Sequence, residues 1–346
     1  MLTLTKRALS AFAGAALLAG GLASPSAAET RELIFDVYIP ARAPITSIGF
    51  VGFAKQVEEL SGGSLKLTIP SAPMAPPPRI FDIVEDGVAD LAVVPIIYRG
   101  DQITLPSITD IFGLAKTAQH ASIALWRTHV KYFQAADQWG DLMPVTMFAH
   151  GDEQLFVKGR AVNTVSDMEG LKLVAPSTLH ATRYEALDAV PVGAPMVKMF
   201  ELVSGGVADG TVVPAGPAQI QGLLGVADNV TVIPGGFSRP AFAVIMNRDV
   251  FDSLTPEQQA AILEAGEEAL SIKLSTIAQQ ESVVGMAEFE KAGAAIVEAS
   301  AEMIEETRAR LQYIEQDWLK KAEEAGIDGP AALAYYRSII AELEAE

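Results

Sequence analysis

The chain has 346 residues and a formal net charge of −18 at pH 7, because 43 Asp and Glu outnumber 25 Lys and Arg. Such an acidic chain has no basic stripe to neutralise phosphates, which argues against nucleic acid and anionic membranes as partners. The sequence contains no cysteine, which excludes disulfide bonds and thiol nucleophiles. The length allows a large hydrophobic core and favours two domains.

The first 28 residues have the pattern of a secretory signal peptide. Lys6 and Arg7 precede an apolar run over residues 8–23, and small residues close the segment at Ala28. The apolar run is short for a membrane-spanning helix, so we expect cleavage before Glu29 and a periplasmic mature protein.

Elements of the first half alternate between apolar strands and amphipathic helices, which indicates an α/β fold. Residues 33–39 predict the first strand, and residues 45–60 place apolar side chains on one helical face. The following predicted elements are a strand over 65–70, a short helix over 80–85, an irregular stretch over 96–110, a helix from the Thr117 cap to about Gln138, and a strand over 143–148 that crosses toward the second domain.

Residues 166–214 predict a strand, a helix and a second strand, which we interpret as the floor of a ligand cleft. Ser166 and Glu169 have the spacing of a capping box for one helical turn. The elements predicted after this turn are a buried strand over 171–176, a helix over 178–188, a Pro/Gly turn through Val192, a helix over 197–204 and a buried strand ending at Pro214.

This unit is an internal repeat of a segment earlier in the chain. Residues 84–95 match residues 203–214 at eight of twelve positions, and the L-K-L-x-x-P string over 65–70 matches residues 171–176. Both pairs occur in the same order, so the sequence predicts two copies of one α/β unit. Two such units facing each other would bind a ligand outside the carboxyl ends of their strands.

The last third of the chain predicts a long helix. Thr255-Pro256 with Gln258 is a strong helix start, and the helical pattern continues to about Lys291 with Gly285 as its one interruption. A helix of this length would brace both domains; the alternative is two helices broken near Gly285. The remaining predictions are a short helix over 217–224, strands over 230–233, 241–246 and 294–297, and solvated amphipathic helices after Ser300.

Enzyme motifs are missing from the sequence. We find no G-x-S-x-G, no glycine-rich phosphate loop, no H-E-x-x-H and no calcium loop. The four histidines have spacings that do not pair on a helix face, although His180 follows a strand end. We therefore predict no catalytic residue, no metal and no cofactor, and a periplasmic hydrolase or lyase is the remote alternative to a binding protein.

Taken together, the chain resembles the solute-binding proteins of TRAP transporters, the DctP type, from about residue 33 to residue 268. The resemblance is densest over residues 53–57, 63–70, 87–90, 168–176, 192–210 and 254–258. It implies a non-enzymatic periplasmic receptor that delivers a small organic solute to integral-membrane TRAP permease subunits. We expect the receptor to be a monomer. It also implies a two-lobed fold, each lobe a mixed sheet flanked by helices: lobe I over 29–149 plus about 238–275, and lobe II over 150–237 plus about 276–346.

The sequence departs from that family at the positions that grip carboxylates. Val174 stands where carboxylate-binding members carry arginine, and Glu153 stands at a second family arginine. Val212 and Val213 replace acidic and amide residues. The resemblance and these departures favour a neutral or cationic ligand such as an amino alcohol, because Glu153 would pair its charge. The other predicted ligand contacts are Tyr38, Tyr98, Ser177, Met196 and Phe237.

The alternative keeps a carboxylate ligand. In that case Arg99 or Arg239 would meet the carboxylate from another direction, since an apolar anchor position leaves a buried carboxylate unpaired. The alternative interpretation of Glu153 is a surface acid in the turn over residues 150–153.

Overall fold

A computed structural model describes residues 30–345, so the predicted signal peptide lies outside the described residues. The strands are β1 (Arg31–Asp36), β2 (Leu65–Thr68), β3 (Leu91–Pro95), β4 (Leu142–Ala149), β5 (Glu153–Val157), β6 (Lys172–Ala175), β7 (Val190–Gly193), β8 (Gly210–Pro214), β9 (Asn229–Val232), β10 (Ala241–Asn247) and β11 (Ala295–Glu298). The helices are α1 (Val51–Leu60), α2 (Ile80–Glu85), α3 (Ala118–Lys131), α4 (Thr178–Ala186), α5 (Met199–Ser204), α6 (Ala215–Ile220), α7 (Arg248–Asp252), α8 (Pro256–Ala265), α9 (Glu267–Lys291), α10 (Ala301–Glu324) and α11 (Gly329–Ala345).

The strands form two mixed sheets, each the centre of one lobe. Lobe I has the order β2-β1-β3-β10-β4, with β10 antiparallel to both of its neighbours. Lobe II has the order β11-β9-β5-β8-β6-β7. Every residue of β3, β8 and β10 is buried, as expected for central strands covered by helices on both faces. The predicted two-lobed α/β fold is confirmed.

The repeat over residues 84–95 and 203–214 is confirmed in detail. In each copy a helix ends at a left-handed glycine, Gly87 or Gly206, and a buried strand follows. An aspartate then accepts the backbone N–H of the neighbouring parallel strand: Asp90 from Ile34 at 2.6 Å, and Asp209 from Lys172 at 2.8 Å.

The predicted equivalence of the two L-K-L strands is wrong. β2 pairs only with β1, whereas β6 lies directly beside β8. The counterpart of β6 is therefore β1, and the counterpart of β2 is β7. The sequence predicts a turn for the segment of β7, because proline and glycine are common turn residues. The structure has a short strand there at the edge of the sheet, where proline is tolerated.

The helical segment after Thr255 breaks at a different glycine from the one we considered. The capping box of Thr255 and Gln258 is confirmed, but the helix ends at Ala265 and a new one begins at Glu267. Gly285 lies inside α9, where the backbone of Ala215 approaches it closely. The break lies at Gly266, which the sequence prediction did not consider: its backbone leaves the helical region (φ −92°, ψ −135°), and Glu267 has a positive φ of 48°.

Helix α9 spans both lobes, as predicted for the bracing helix. Its first half packs on β4 and on the core of lobe I through Leu274. Its second half packs on α6, and the ring of Phe289 lies 4.7 Å from that of Phe156 in lobe II.

Two local predictions need correction. The capping box before β6 is formed by Thr164 and Asp167, not by Ser166 and Glu169, because Glu169 leaves the helical turn. The helices after Ser300 are amphipathic, but they contribute core side chains as well as solvated ones. Trp318 and Tyr336 are fully buried, and Trp318 donates to the carbonyl of Leu105 at 2.9 Å.

Within residues 30–345 no helix is long and apolar enough to span a membrane.

Candidate functional site

Two tyrosines lie at the carboxyl ends of neighbouring parallel strands of lobe I. Tyr38 follows β1 and Tyr98 follows β3. Burial raises the pKa of both phenols, and the proximity of Tyr98 adds to the rise at Tyr38. Tyr38 also packs on both cores that meet at this edge. The structure therefore brings these two predicted wall residues together.

Three of the predicted apolar contacts in lobe II share one side of its sheet. Val174 of β6 and Val213 of β8 are fully buried in the same cluster, and Met196 packs against that cluster. Val212 points to the opposite face, as alternation along a strand requires. The structure therefore separates Val212 from the other three.

Ser177 caps the helix that begins where β6 ends. Its hydroxyl accepts the backbone N–H of His180 and lies 2.9 Å from the Nδ1 atom of the same histidine. Ser177 is half-buried, at the carboxyl edge of the sheet. Phe237 is fully buried, and its backbone N–H donates to the carbonyl of Glu153 at 3.0 Å.

Glu153 is buried inside the protein and already has partners, so the interpretation as a surface acid is wrong. Its carboxylate lies 3.1 Å from His180 Nε2, accepts a 3.0 Å hydrogen bond from Arg183 Nη1, and accepts another from the hydroxyl of Ser238. Burial alone would raise the pKa of Glu153, but His180 and Arg183 together with these hydrogen bonds lower it to about 2. Glu153 is thus ionised and compensated within the chain.

Sequence reasoning missed Arg183, which is fully buried on α4. Its second terminal nitrogen lies 3.3 Å from Asp110 Oδ1, so one guanidinium joins two carboxyl groups. Burial raises the pKa of Asp110, although Arg183 opposes the rise. The available signal was spacing, since Ser177, His180 and Arg183 recur every three residues on one helical face. We call Asp110, Glu153, His180, Arg183 and Ser238 the buried charge cluster.

Both alternative carboxylate partners are engaged within the chain. Arg99 forms ion pairs with Asp82 and Glu85 and lies 4.8 Å from the centre of the Phe81 ring. Arg239 is buried and donates to two backbone carbonyls, the nearer that of Lys116 at 2.7 Å.

A small cavity of about 10 Å³ lies between the segment before β10 and α11; its lining includes Thr109, Ser238, Arg239 and Tyr336. Two open grooves of about 480 and 490 Å³ lie on outer surfaces, one along α10 and one beside α3. Tyr38 and Tyr98 line none of these three spaces, and neither do the apolar residues Val174, Met196 and Val213.

Two buried histidines make acid destabilisation an expected property of this protein. Burial lowers the pKa of His129 and of His150 to about 4, below the value near 6.5 expected in the unfolded chain. The unfolded state therefore binds more protons between pH 6.5 and 4, and stability falls as the pH drops through that window, on the order of 3 kcal/mol for each histidine. Protonation of Asp110, whose pKa is raised, acts in the opposite direction.

The variant His129→Phe isolates one of these contributions. Urea unfolding at pH 7 and pH 4.5 should show a smaller loss of stability in this variant than in the parent chain. Equal losses in the two proteins would contradict the assignment.

Comparisons with known proteins agree with this architecture. The family model for bacterial extracellular solute-binding protein, family 7 (DctP) matches residues 38–322. The curated "Outer membrane transporter protein TsaT" of Comamonas testosteroni is 26% identical over 324 residues, covering 93% of this chain and 96% of that protein.

Solved structures of TRAP periplasmic solute-binding proteins superpose closely. A protein from Bordetella bronchiseptica with bound (R)- and (S)-mandelate is 28% identical, with a TM-score of 0.86 over 90% of this chain and 99% of that chain. A protein from Rhodoferax ferrireducens with copurified benzoate has a TM-score of 0.83 at 21% identity, over 90% and 98% of the two chains. The second likeness concerns the fold alone.

Proposed function

Because the chain belongs to the bacterial extracellular solute-binding proteins of family 7 (DctP), we propose that it binds a small organic acid with an aromatic or otherwise apolar body. The chain is a TRAP solute-binding receptor and not an enzyme. Receptors of this class bind their solute outside the cytoplasm and work with permease subunits in the membrane. The periplasm as its location and the cleaved signal peptide remain predictions.

The compensated state of Glu153 is the observation that carries the proposal. A cationic ligand would need an unshared carboxylate, but this carboxylate is already bound by Arg183, His180 and Ser238. Inserting a second cation beside Arg183 in a buried setting is unfavourable. The relative with bound mandelate, at 28% identity, supports an organic acid.

The apolar body of the ligand would contact Tyr38 and Tyr98 on one side and Val174, Met196 and Val213 on the other. Aromatic rings offer large, rigid contact areas for another ring. For the carboxylate we propose Ser177, because it stands at the start of α4, where the first backbone N–H groups favour an anion. The hydroxyl of Ser177 lies 2.9 Å from His180 Nδ1, and on binding it would exchange this partner for the carboxylate. Arg99 and Arg239 are less suitable, since both have partners within the chain.

The sequence-based expectation of a neutral or cationic ligand stays the second candidate. Val174 in place of arginine favours it, because this position offers no charge to a carboxylate.

A thermal-shift panel with (R)-mandelate, benzoate, ethanolamine and an alditol decides between the two candidates. A ligand at one hundred times its Kd stabilises the folded state by about 2.7 kcal/mol, so the true ligand class raises the Tm measurably. We expect the aromatic acids to do so; a response to ethanolamine alone would overturn the proposal.

A matched pair of cap variants tests the proposed carboxylate contact. Ser177→Ala should weaken acid binding about tenfold, which corresponds to one lost hydrogen bond to a charged group. Ser300→Ala removes the same kind of cap from α10, and it should lower stability without changing the affinity. Equal affinities of the two variants would exclude Ser177 from the site.

A further inference from the structure

Besides the bracing helix α9, the chain passes between the two lobes in two short neighbouring segments, residues 150–152 and 233–240. The segments are joined directly, because Glu153 N–H donates to the carbonyl of Ser238 and Phe237 N–H donates to that of Glu153, each at 3.0 Å. The side chain of Ser238 also donates to Glu153. Glu153 is thus the residue at which both crossings meet.

Arg183 attaches this crossing point to both lobes. It belongs to α4, which packs on β6 and β7 of lobe II. Its second partner, Asp110, ends the turn Leu105–Asp110, which packs on α3 and β10 of lobe I. The guanidinium of Arg183 therefore contacts Asp110 of lobe I and Glu153 at the crossing point. The backbone of Arg183 belongs to α4 and therefore to lobe II.

A second contact ties the other end of α4 to the same turn of lobe I. Arg310 of α10 forms an ion pair with Asp188, just beyond the end of α4, and donates to the carbonyl of Ala186. Helix α10 packs on the turn that carries Asp110, and Trp318 donates to the carbonyl of Leu105 in that turn. Helix α4 is consequently held to lobe I at two points.

Helix α4 starts at Ser177, immediately after the carboxyl end of β6, and Arg183 lies less than two turns further on. A short helix moves as one rigid body, so a displacement of its first turn is carried to Arg183.

We propose that α4 couples the strand-end edge of lobe II to the angle between the lobes, with Arg183 as the positioning residue. A buried ion pair adds little net stability compared with apolar packing of the same volume, but it fixes a geometry. The contact between Arg183 and Asp110 therefore restricts the lobe angle. The inference concerns the protein without ligand and does not depend on the charge of the solute.

The absence of cysteine makes a distance measurement straightforward. Lys55→Cys on α1 and Lys198→Cys before α5 place two exposed spin labels, one in each lobe. Pulsed EPR on the doubly labelled, ligand-free full chain then gives the distribution of distances between the lobes. Asp110→Asn should widen this distribution, because it removes the charge while Arg183 keeps its pair with Glu153.

Two further variants complete the test. Glu32→Gln breaks the ion pair with Lys66 inside lobe I and should leave the distance distribution unchanged. Arg310→Gln removes the contacts of α10 with Asp188 and with the carbonyl of Ala186 but leaves the buried charge cluster intact. It should also widen the distribution, and it keeps the proposal testable if Asp110→Asn does not fold. Distributions of Asp110→Asn and Arg310→Gln that superpose on the parent would overturn the proposal, whatever the ligand panel shows.

Discussion

Arg183→Met is expected to lower the free energy of unfolding by about 3–5 kcal/mol, the usual cost of removing one partner from a buried ion pair. The guanidinium of Arg183 is fully buried, and it compensates Glu153, whose side chain is 1% exposed. Methionine fills a similar volume, so the loss reports the uncompensated carboxylate and not a cavity. A chain of ordinary stability would lose a large share of its folding free energy.

Urea unfolding at pH 7 measures this effect, with two companions as controls. The double variant Glu153→Gln/Arg183→Met removes the stranded charge and should recover about half of the loss or more. Arg127→Met breaks a pair with Glu268 in which both side chains are partly exposed, so it should cost less than about 1 kcal/mol. If Arg183→Met loses no more unfolding free energy than Arg127→Met, the buried charge cluster does not stabilise the crossing point at Glu153.

The sequence predicts the repeated unit because its signals are local. A helix stop at glycine, an aspartate three residues later and an apolar strand are all encoded within the segments 84–95 and 203–214. The pairing of strands is not local. The L-K-L strings of β2 and β6 are alike because both are short strands, yet only the positions of β1 and β6 beside β3 and β8 define the equivalence.

The sequence predicts the placement of single residues in the fold better than the contacts between residues that are distant in the chain. Tyr38 with Tyr98, and Val174 with Met196 and Val213, follow from strand ends and apolar runs. The pairing of Glu153 with Arg183 joins residues thirty positions apart in different elements. The spacing of Ser177, His180 and Arg183 indicates a shared helical face, but it does not name the partner of that face. A charged side chain on a helix is usually solvated, so the burial of Arg183 does not follow from the sequence.

Gly285→Ala is the second substitution with a large expected effect. It should lower the free energy of unfolding, whereas helix propensity alone would predict an increase. Alanine in the middle of a helix normally gains up to about 1 kcal/mol over glycine. At Gly285 of α9, however, the added Cβ would lie 2.6 Å from the carbonyl carbon and oxygen of Ala215. Backbone atoms cannot rotate away, so α6 must shift, and we expect a net loss of about 2 kcal/mol.

Gly52→Ala on α1 is the matched control for this prediction. The nearest atom to its added Cβ is the end of the Lys273 side chain, which is flexible and can move at little cost. The same substitution should therefore leave stability unchanged or raise it by up to about 1 kcal/mol. The shift of α6 in Gly285→Ala should also weaken ligand binding, because α6 follows β8 directly and β8 carries Val213. Urea unfolding measures the change in the free energy of unfolding for both variants. A loss in Gly285→Ala with no loss in Gly52→Ala would establish that the close contact of α6 with α9 holds lobe II against the bracing helix. Changes of the same sign in both variants would contradict it.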